Sequence, residues 1–366
     1  MGLEIDYMQH AILAARSVDG KTKPNPPVGA VIVYEGTVVG LGATQTPGQD
    51  HAEIVAIKQA GNDLIGAEMY VTLEPCSMFG RTPPCVDAII SSGISRLNIA
   101  ILDPNPNENG HGINKLKAAG IEVSMWEAEE LVFQAQQLVE SYTKNIVTGD
   151  PFITLKYAMS IDGKIATSTG KSKWISGQDS RQEVHRMRYT SDAVLVGIET
   201  VISDDPKLTA RDLNGVNLDN QPLRVVIDTR GRIPLDSKLV TDGGATLIVC
   251  AEMESNKQNR LESLGVSVEK VAKHENGIDL RAVIEVLRSR GILTILIEGG
   301  SRIAGNLVDL RIIDKFVVFI APIVIGGCDS IGPIAGFGID NISDALKFKS
   351  AHLQKYGDDI AIIGYP

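Results

Sequence analysis

The chain has few cysteines, no long apolar run and little basic charge near its start, and each shortage excludes a class of protein. Four cysteines among 366 residues are too few for the disulfide framework of a small secreted domain. The longest apolar run, 316–325, contains Pro322 and is too short to cross a bilayer. The first six residues carry two acids and no base, unlike a signal peptide. We therefore expect a cytoplasmic protein without a membrane segment, with Cys250 and Cys328 as buried thiols.

Charge is distributed unevenly along the chain. Residues 1–150 hold 9 Lys and Arg against 18 Asp and Glu, a net charge of −9, whereas residues 151–366 have a net charge of −1. An acidic surface repels polyanions, so sequence-independent binding to nucleic acid is disfavoured. The near-neutral second part is better suited to a basic pocket for a phosphorylated small molecule.

The order of apolar patterns predicts a two-domain α/β protein, as the length also does. A hairpin through Glu35 and Gly36 is followed by alternating helices and strands, which predicts helices on both faces of one sheet. Gly149 and Pro151 break the last helix of this part, so we place the domain boundary between residues 146 and 147. The second domain contains apolar runs of strand length, typical of a sheet covered on both faces.

The predicted elements of the first domain are helices at about 5–18, 51–61, 84–92, 111–119 and 127–145, and strands at 28–34, 37–42, 69–73, 97–102 and 121–124. Those of the second domain are strands at 152–158, 193–197, 224–228, 246–250, 293–298 and 316–321, and helices at 178–190 and 302–309. The Asp-, Asn- and Pro-rich segment 203–222 is predicted to be a surface loop.

One histidine and two cysteines have the pattern of a metal site with an open position. His51 and Glu53 lie at a predicted helix start, and Cys76 and Cys85 each follow a proline, with eight residues between them. The imidazole and two thiolates supply three of the four ligands of tetrahedral zinc, and the fourth can be a water that zinc ionises. Glu53 is placed to move a proton rather than to bind the same ion. The alternatives are a closed zinc knuckle, for which these segments offer no fourth ligand, and two unrelated thiols.

This pattern is typical of zinc-dependent nucleobase deaminases, and the cysteine spacing narrows the resemblance. Enzymes that edit nucleic acids generally have two residues between the cysteines, not eight. Over nearly its whole length the chain resembles the bifunctional deaminase–reductases of riboflavin biosynthesis. The matching segments are PNPPVGA at 24–30, HAE at 51–53, LEPCS at 73–77, GRTPPC at 80–85, DPNP at 103–106, SIDGK at 160–164, WI at 174–175, DDP at 204–206 and EGGS at 298–301.

The chain departs from the family pattern at a few positions near the predicted site. A histidine is usual where Met78 stands and frequent where Lys23 stands. The family usually has an apolar pair before Gly110, where this chain has Glu108 and Asn109, and a basic residue in place of His111. None of these is a predicted zinc ligand, so the departures concern contacts to the substrate and not the reaction.

The resemblance implies an N-terminal cytidine-deaminase-like three-layer α/β/α domain, residues 1–146, and a C-terminal dihydrofolate-reductase-like α/β domain, residues 147–366. The first would use Zn²⁺ on His51, Cys76 and Cys85, with Glu53 as the catalytic acid and base. It would hydrolyse the 2-amino group of 2,5-diamino-6-(5-phosphoribosylamino)pyrimidin-4(3H)-one, giving 5-amino-6-(5-phosphoribosylamino)uracil. The second would then use NADPH to reduce the ribosyl group to a ribityl chain. Members of the family are commonly homo-oligomers.

The resemblance also assigns binding residues one position at a time. Asn25 matches a contact to the pyrimidine, with a plain turn residue as the alternative. The substrate positions of the reductase are Ser172, Arg188, Leu208, Arg211 and Glu298. The nucleotide positions are Ala158, Trp174, Thr200, Asp204, Thr229 and the run Gly300, Ser301, Arg302, Ile303, Ala304, Gly305 and Asn306.

Physical chemistry gives partial support to these assignments. Glycines between a strand and a helix let a pyrophosphate approach the backbone N–H groups, although a plain strand–helix turn is an equal alternative. Arg188 and Arg211 suit a phosphate because a guanidinium fork can bind it through two hydrogen bonds. The Rossmann fingerprint is absent, which argues against an ordinary dehydrogenase.

Two other classes of protein remain open at this stage. A nucleic-acid-modifying deaminase with a binding module should carry a basic stripe, whereas residues 1–150 have a net charge of −9. A zinc-stabilised structural protein would need neither Glu53 nor an open fourth position. The sequence therefore favours an enzyme that acts on a small phosphorylated pyrimidine, without a nucleic-acid or membrane partner.

Overall fold

The computed structural model describes residues 2–61, 63–274 and 277–366, with only the backbone of 2–6 and 274. The chain divides into two compact units, Met1–Asp150 and Pro151–Pro366. Within the described ranges, every helix is too short or too polar to span a bilayer. Cys250 is buried as predicted, but the prediction for Cys328 is wrong: it is exposed, because it lies in the loop that follows an apolar strand rather than in the strand.

The described part of the first unit is a five-stranded sheet with helices on both faces. Its elements in chain order are α1 (Gly2–Ser17), β1 (Gly29–Tyr34), β2 (Thr37–Ala43), α2 (Ala52–Ala60), β3 (Glu68–Val71), α3 (Cys85–Ser92), β4 (Arg96–Ile99), α4 (His111–Ala118), β5 (Glu122–Met125) and α5 (Glu129–Thr148).

The strand order is β2-β1-β3-β4-β5, with β1 antiparallel to both neighbours and β3, β4 and β5 parallel. The predicted hairpin is confirmed. Its turn residues, Glu35 and Gly36, have φ values of 47° and 75°, the left-handed conformation that a two-residue turn needs to match the twist of its strands.

Two glycines let helices approach opposite faces of this sheet. A Cβ on Gly29 would lie 1.8 Å from the carbonyl oxygen of Ala11 in α1, and a Cβ on Gly42 would lie 2.0 Å from that of Ala52 in α2. Gly29 pairs with Ala43 on the neighbouring strand, and paired residues point to the same face. Gly42 precedes Ala43 and points to the other face, because side chains alternate along a strand. The sheet therefore lies between α1 and α2, and a continuous apolar core fills both interfaces.

The second unit contains a larger sheet. Its elements are β6 (Phe152–Ser160), α6 (Gln178–Thr190), β7 (Ala193–Gly197), α7 (Ile198–Asp204), β8 (Leu223–Ile227), α8 (Lys238–Thr241), β9 (Thr246–Cys250), α9 (Ser255–Ser263), β10 (Ser267–Lys270), β11 (Lys273–His274), β12 (Gly277–Ile278), α10 (Leu280–Ser289), β13 (Thr294–Ile297), α11 (Ser301–Asp309), β14 (Lys315–Ala321), a 3₁₀ turn (Ile342–Asp344), β15 (Ser350–Tyr356) and β16 (Asp359–Tyr365).

Nine described strands form this sheet in the order β10-β9-β8-β7-β13-β6-β14-β16-β15. The seven strands from β10 to β14 run parallel, while β16 is antiparallel to both β14 and β15. Alternate residues of the central strands enter different apolar clusters; Leu195 enters one, and Val194 and Val196 enter the other. This alternation confirms the prediction of a sheet covered on both faces. In the predicted surface loop, however, Leu208 and Ala210 are buried.

Candidate zinc centre and reductase site

Three separate segments bring the predicted zinc donors together in the first unit. His51 immediately precedes α2, Cys76 lies in the loop after β3, and Cys85 is the first residue of α3. The Nδ1 atom of His51 lies 3.6 Å from Cys76 Sγ and 3.3 Å from Cys85 Sγ. Tetrahedral zinc, with bonds of about 2.3 Å to sulfur and about 2.0 Å to nitrogen, requires about 3.6 Å between such donors. The donor set therefore fits Zn²⁺.

One of the two thiols, Cys76, readily loses its proton to give the metal-binding thiolate. A hydrogen bond from the Cys85 thiol lowers the pKa of Cys76 to about 5, and the same bond raises the pKa of Cys85. The Cys85 N–H also donates to Cys76 Sγ over 3.3 Å. Cys76 is therefore the thiolate of the pair, and a bound divalent cation would favour loss of the second proton. On the far side of the imidazole, His51 Nε2 lies 3.4 Å from Thr82 Oγ1, which orients the ring with Nδ1 towards the sulfurs.

A cavity of about 390 Å³ is lined by two of these donors, His51 and Cys76. Glu53, in the first turn of α2, lines it with a side chain that is only 3% exposed. Burial raises the pKa of Glu53 to about 7. Asn25 lines the same cavity. The site thus combines three metal donors, a buried carboxyl group and room for a ring-sized substrate.

Several polar residues of this site were not predicted from the sequence. Glu108, Asp103 and Tyr142 all line the cavity. Burial raises the pKa of Asp103 to about 6, and its Oδ1 accepts a hydrogen bond of 3.2 Å from the Tyr142 hydroxyl. Glu74 is also buried, and its carboxylate accepts hydrogen bonds from the Gly110 and Ile113 N–H groups at the start of α4. Asp103 and Glu74 lie in segments that match the family pattern. That match was the one feature of the sequence that could have indicated a role for them in the site.

In the second unit, many of the predicted residues lie at the carboxyl ends of parallel strands. Ala158 is near the end of β6, Thr229 follows β8, and Glu298 follows β13. This is the edge at which open α/β sheets bind ligands. Thr200, in α7, is beside the turn before α11, because a Cβ on Gly299 would lie 2.9 Å from Thr200 Oγ1.

The segment predicted to hold pyrophosphate begins α11. Gly300 has a φ of 81° and directly precedes the helix, which Ser301 begins. Arg302, Ile303, Ala304 and Asn306 occupy the next positions, and the first turn contains no acidic residue that would repel an anion. Gly305 allows close packing, since a Cβ there would lie 1.9 Å from the carbonyl oxygen of Ala335.

The predicted substrate residues of the reductase include a buried ion pair. Arg188 donates from Nε and Nη2 to the two oxygens of Glu298 over 2.5 and 2.9 Å, and Lys156 Nζ lies 3.7 Å from the same carboxylate. Arg188 also donates from Nη1 to the Thr209 carbonyl oxygen. The guanidinium fork that the sequence offered to a phosphate is thus held by Glu298. Lys156 and the neighbouring His185 were missed, because a single Lys or His in a helix or strand gives no pattern.

Arg211 remains the better placed cation for a phosphate. Burial and the neighbouring Arg188 both lower the pKa of Arg211, and its Nε is buried without a hydrogen-bond partner among the described residues. Leu208 is buried nearby in the chain, with a φ of 53°. An anion beside Arg211 would relieve the repulsion between the two guanidinium groups.

The other predicted residues lie around the loop between β6 and α6. Ser172 donates to Asp204 Oδ1 over 3.3 Å, which links this loop to the end of α7. Trp174 is 72% exposed, and the guanidinium of Arg181 lies 4.8 Å from its ring centroid. An indole as exposed as this one lies outside the apolar core.

Comparison with known proteins identifies both units. Residues 1–101 match the cytidine and deoxycytidylate deaminase zinc-binding region, and residues 151–362 match the RibD C-terminal domain. Riboflavin biosynthesis protein RibD of Aquifex aeolicus is 43% identical over 361 residues, 98% of this chain and 98% of that protein. RibD of Escherichia coli is 36% identical and covers 97% of each chain. The structure of Acinetobacter baumannii RibD, form 1, has a TM-score of 0.81 at 34% identity, covering 100% of this chain and 99% of that one.

The site and these similarities define the class of protein. The chain is a two-domain enzyme, a zinc-dependent hydrolytic deaminase joined to an NADPH-dependent reductase. It belongs to the RibD family of riboflavin biosynthesis proteins. The predictions of fold class, reaction types and both cofactors are thereby confirmed. The roles of individual residues and the boundary between residues 146 and 147 stay predictions.

Proposed function

We propose that the first unit hydrolyses the 2-amino group of 2,5-diamino-6-(5-phosphoribosylamino)pyrimidin-4(3H)-one, and that the second unit reduces the ribosyl group of the product to a ribityl chain. A Thermotoga maritima relative, 32% identical with a TM-score of 0.81, is described as a diaminohydroxyphosphoribosylaminopyrimidine deaminase and 5-amino-6-(5-phosphoribosylamino)uracil reductase. One observation carries the deaminase half: His51 and Cys76 line the same cavity as the buried carboxyl group of Glu53, and the third zinc donor, Cys85, lies within 4.8 Å of both.

In the deaminase unit, His51, Cys76 and Cys85 hold the metal and Glu53 moves the proton. Zinc held there would act as a Lewis acid that makes a water molecule acidic enough to ionise near neutral pH. Glu53 takes a proton from the attacking water, delivers it to the ring nitrogen of the amidine, and then transfers a proton to the departing amine. Asn25 can hydrogen-bond the pyrimidine from the cavity wall.

In the reductase unit, the chain orients the substrate and holds the nucleotide. NADPH held there would supply the hydride for the sugar's first carbon, whose bond to the ring oxygen breaks, and the released oxygen takes up a proton. The turn from Gly299 to Ser301 presents backbone N–H groups to the pyrophosphate, while Arg211 provides the charge for the substrate phosphate. Glu298 holds Arg188 and faces Lys156, so this polar cluster is fixed before substrate arrives.

Replacement of Glu53 tests the deaminase assignment. Glu53→Gln should keep the fold and bound zinc but reduce ammonia release by about 10²–10⁴-fold, because only proton transfer is lost. Full-length enzyme is incubated with the diaminopyrimidine phosphate, with and without NADPH, and products are followed by mass spectrometry. Glu127→Gln, in an exposed loop, is the matched control. Unchanged deamination in Glu53→Gln would refute the role of Glu53.

The finer predictions on partners and location belong with this proposal. The net charge of −9 in residues 1–150 supports a small phosphorylated substrate over a nucleic acid. A homo-oligomer in the cytoplasm stays a prediction, which sedimentation of the purified enzyme and fractionation of cells would test.

A further inference from the structure

Glu108 is bound to the loop that carries the zinc ligand Cys76. Its Oε2 accepts hydrogen bonds from the Ser77 N–H over 2.8 Å and the Ser77 hydroxyl over 2.6 Å. Its Oε1 accepts a hydrogen bond of 3.2 Å from the Met78 N–H. One carboxylate therefore receives three hydrogen bonds from the two residues that directly follow a metal donor.

Glu108 is itself fixed by a series of hydrogen bonds that reaches α5. Its N–H donates to the Asn105 carbonyl oxygen over 2.9 Å, and the Asn105 N–H donates to Asp103 Oδ1 over 2.8 Å. The Tyr142 hydroxyl, on α5, donates to the same Oδ1. The Asn109 side chain donates to the Asp103 carbonyl oxygen over 3.0 Å. The loop segment that carries Glu108 is thus tied to α5 through Asp103 and Tyr142.

The held segment needs such an anchor because its outer part is solvent-exposed. Met78 is 52% exposed and Phe79 is 75% exposed, so apolar packing contributes little there. The same loop continues through Arg81 and Thr82, which line the cavity, to Cys85. Charge-assisted hydrogen bonds to backbone N–H groups are the stronger kind. The position of the loop therefore depends on Glu108.

We propose that Glu108 is a positioning residue of the deaminase, which fixes Ser77 and Met78 and thereby holds Cys76 in its metal-binding geometry. The proposal rests on the deaminase function proposed above. It concerns two positions at which this chain departs from the family pattern, since an apolar residue is usual at 108 and a histidine at 78. Glu108 does not touch the reacting atoms in this role; it acts through the loop.

Three variants of the full-length chain test the proposal: Glu108→Val, Ser77→Ala and the double variant. Glu108→Val should reduce kcat for ammonia release and speed zinc transfer to a chelator, each by about 10-fold or more, with a smaller change in KM. Ser77→Ala removes one of the hydrogen bonds. It should reduce kcat and speed zinc transfer, each by about fivefold. In the Glu108→Val background, Ser77→Ala should have no further effect, since its partner is gone.

The controls separate positioning from general damage. Glu127→Val removes the same charge from an exposed loop of the same unit and should leave kcat and zinc transfer unchanged. NADPH oxidation with the deaminated substrate reports on the second unit in every sample. The non-additivity of the double variant shows that Ser77 and Glu108 act through their mutual contact. A merely structural role would lower the free energy of unfolding but leave kcat and zinc transfer of the folded enzyme unchanged.

Each outcome decides the proposal. It is overturned if Glu108→Val behaves like Glu127→Val, or if the Ser77→Ala effect adds in full to that of Glu108→Val. If Glu108→Val does not fold, Ser77→Ala decides alone, and unchanged zinc transfer and kcat would overturn the proposal. If the unmodified enzyme releases no ammonia, the proposed function fails, while the zinc-transfer comparison still tests the role of Glu108.

Discussion

Removal of the Glu298 carboxylate should destabilise the second unit strongly. Glu298 is 5% exposed, Arg188 13% and Lys156 15%, so the variant Glu298→Ala leaves two cations facing each other away from water. Burial alone would raise the pKa of Glu298, but Arg188 and Lys156 hold it below its ordinary value. Burial also lowers the pKa of Lys156, against the attraction of Glu298. Breaking a buried pair by removing one partner costs about 3–5 kcal/mol.

The assay is urea unfolding of the full-length chain, with hydrogen exchange of β6 and β13 peptides as the probe of the second unit. Glu285→Ala removes an exposed carboxylate that pairs with Arg288 and should leave the midpoint almost unchanged. Because the pKa of Glu298 is lowered on folding, its contribution is complete above about pH 4.5 and is lost as the pH falls through the folded-state pKa. A loss of stability no larger than that of Glu285→Ala would refute the reasoning.

Three further predictions concern pH, metal and packing. Burial, Arg188 and Arg211 lower the pKa of His185 to about 4, so the unfolded chain takes up the proton first and the second unit should lose stability from pH 6.5 down to about 4. His185→Asn should flatten that part of the stability curve, and an unchanged slope would contradict this. Zinc chelation should abolish ammonia release and lower the melting temperature of the first unit without affecting NADPH oxidation; loss of both activities would count against separate sites. Gly305→Ala should cost the second unit about 1–3 kcal/mol in chemical denaturation, whereas Gly332→Ala, with open space around it, should not; equal effects would argue against the close packing.

The zinc site could be predicted because its chemistry demands particular residue types. Three donors and a nearby carboxylate are rare, and the structure brings His51, Cys76 and Cys85 within 4.8 Å of one another. Glu108 could not be predicted, because its role comes from a loop that lies 31 residues away in sequence. A single glutamate in a polar turn has no pattern that distinguishes it from a solvated one.

The central strands were also predictable, and the edge of the second sheet was not. Buried parallel strands such as β7 and β9 read as continuous apolar runs, and both were predicted with their observed bounds. The hairpin of β15 and β16 was missed because β15 is mostly exposed and carries few apolar residues. The burial of Leu208 was missed for a different reason: its segment has a loop composition, and only the surrounding fold covers it.

The two glycines of β2, Gly40 and Gly42, affect the position of α2, the helix whose first turn contains Glu53. A Cβ on Gly42 would lie 2.0 Å from the Ala52 carbonyl oxygen, and a Cβ on Gly40 would lie 2.4 Å from that of Ala56. Ala52 stands between His51 and Glu53, so any side chain at position 42 would push the proposed metal ligand and the proposed proton carrier outward together. Two glycines, which have no functional group, therefore determine how closely the start of α2, with His51 and Glu53, packs against the sheet.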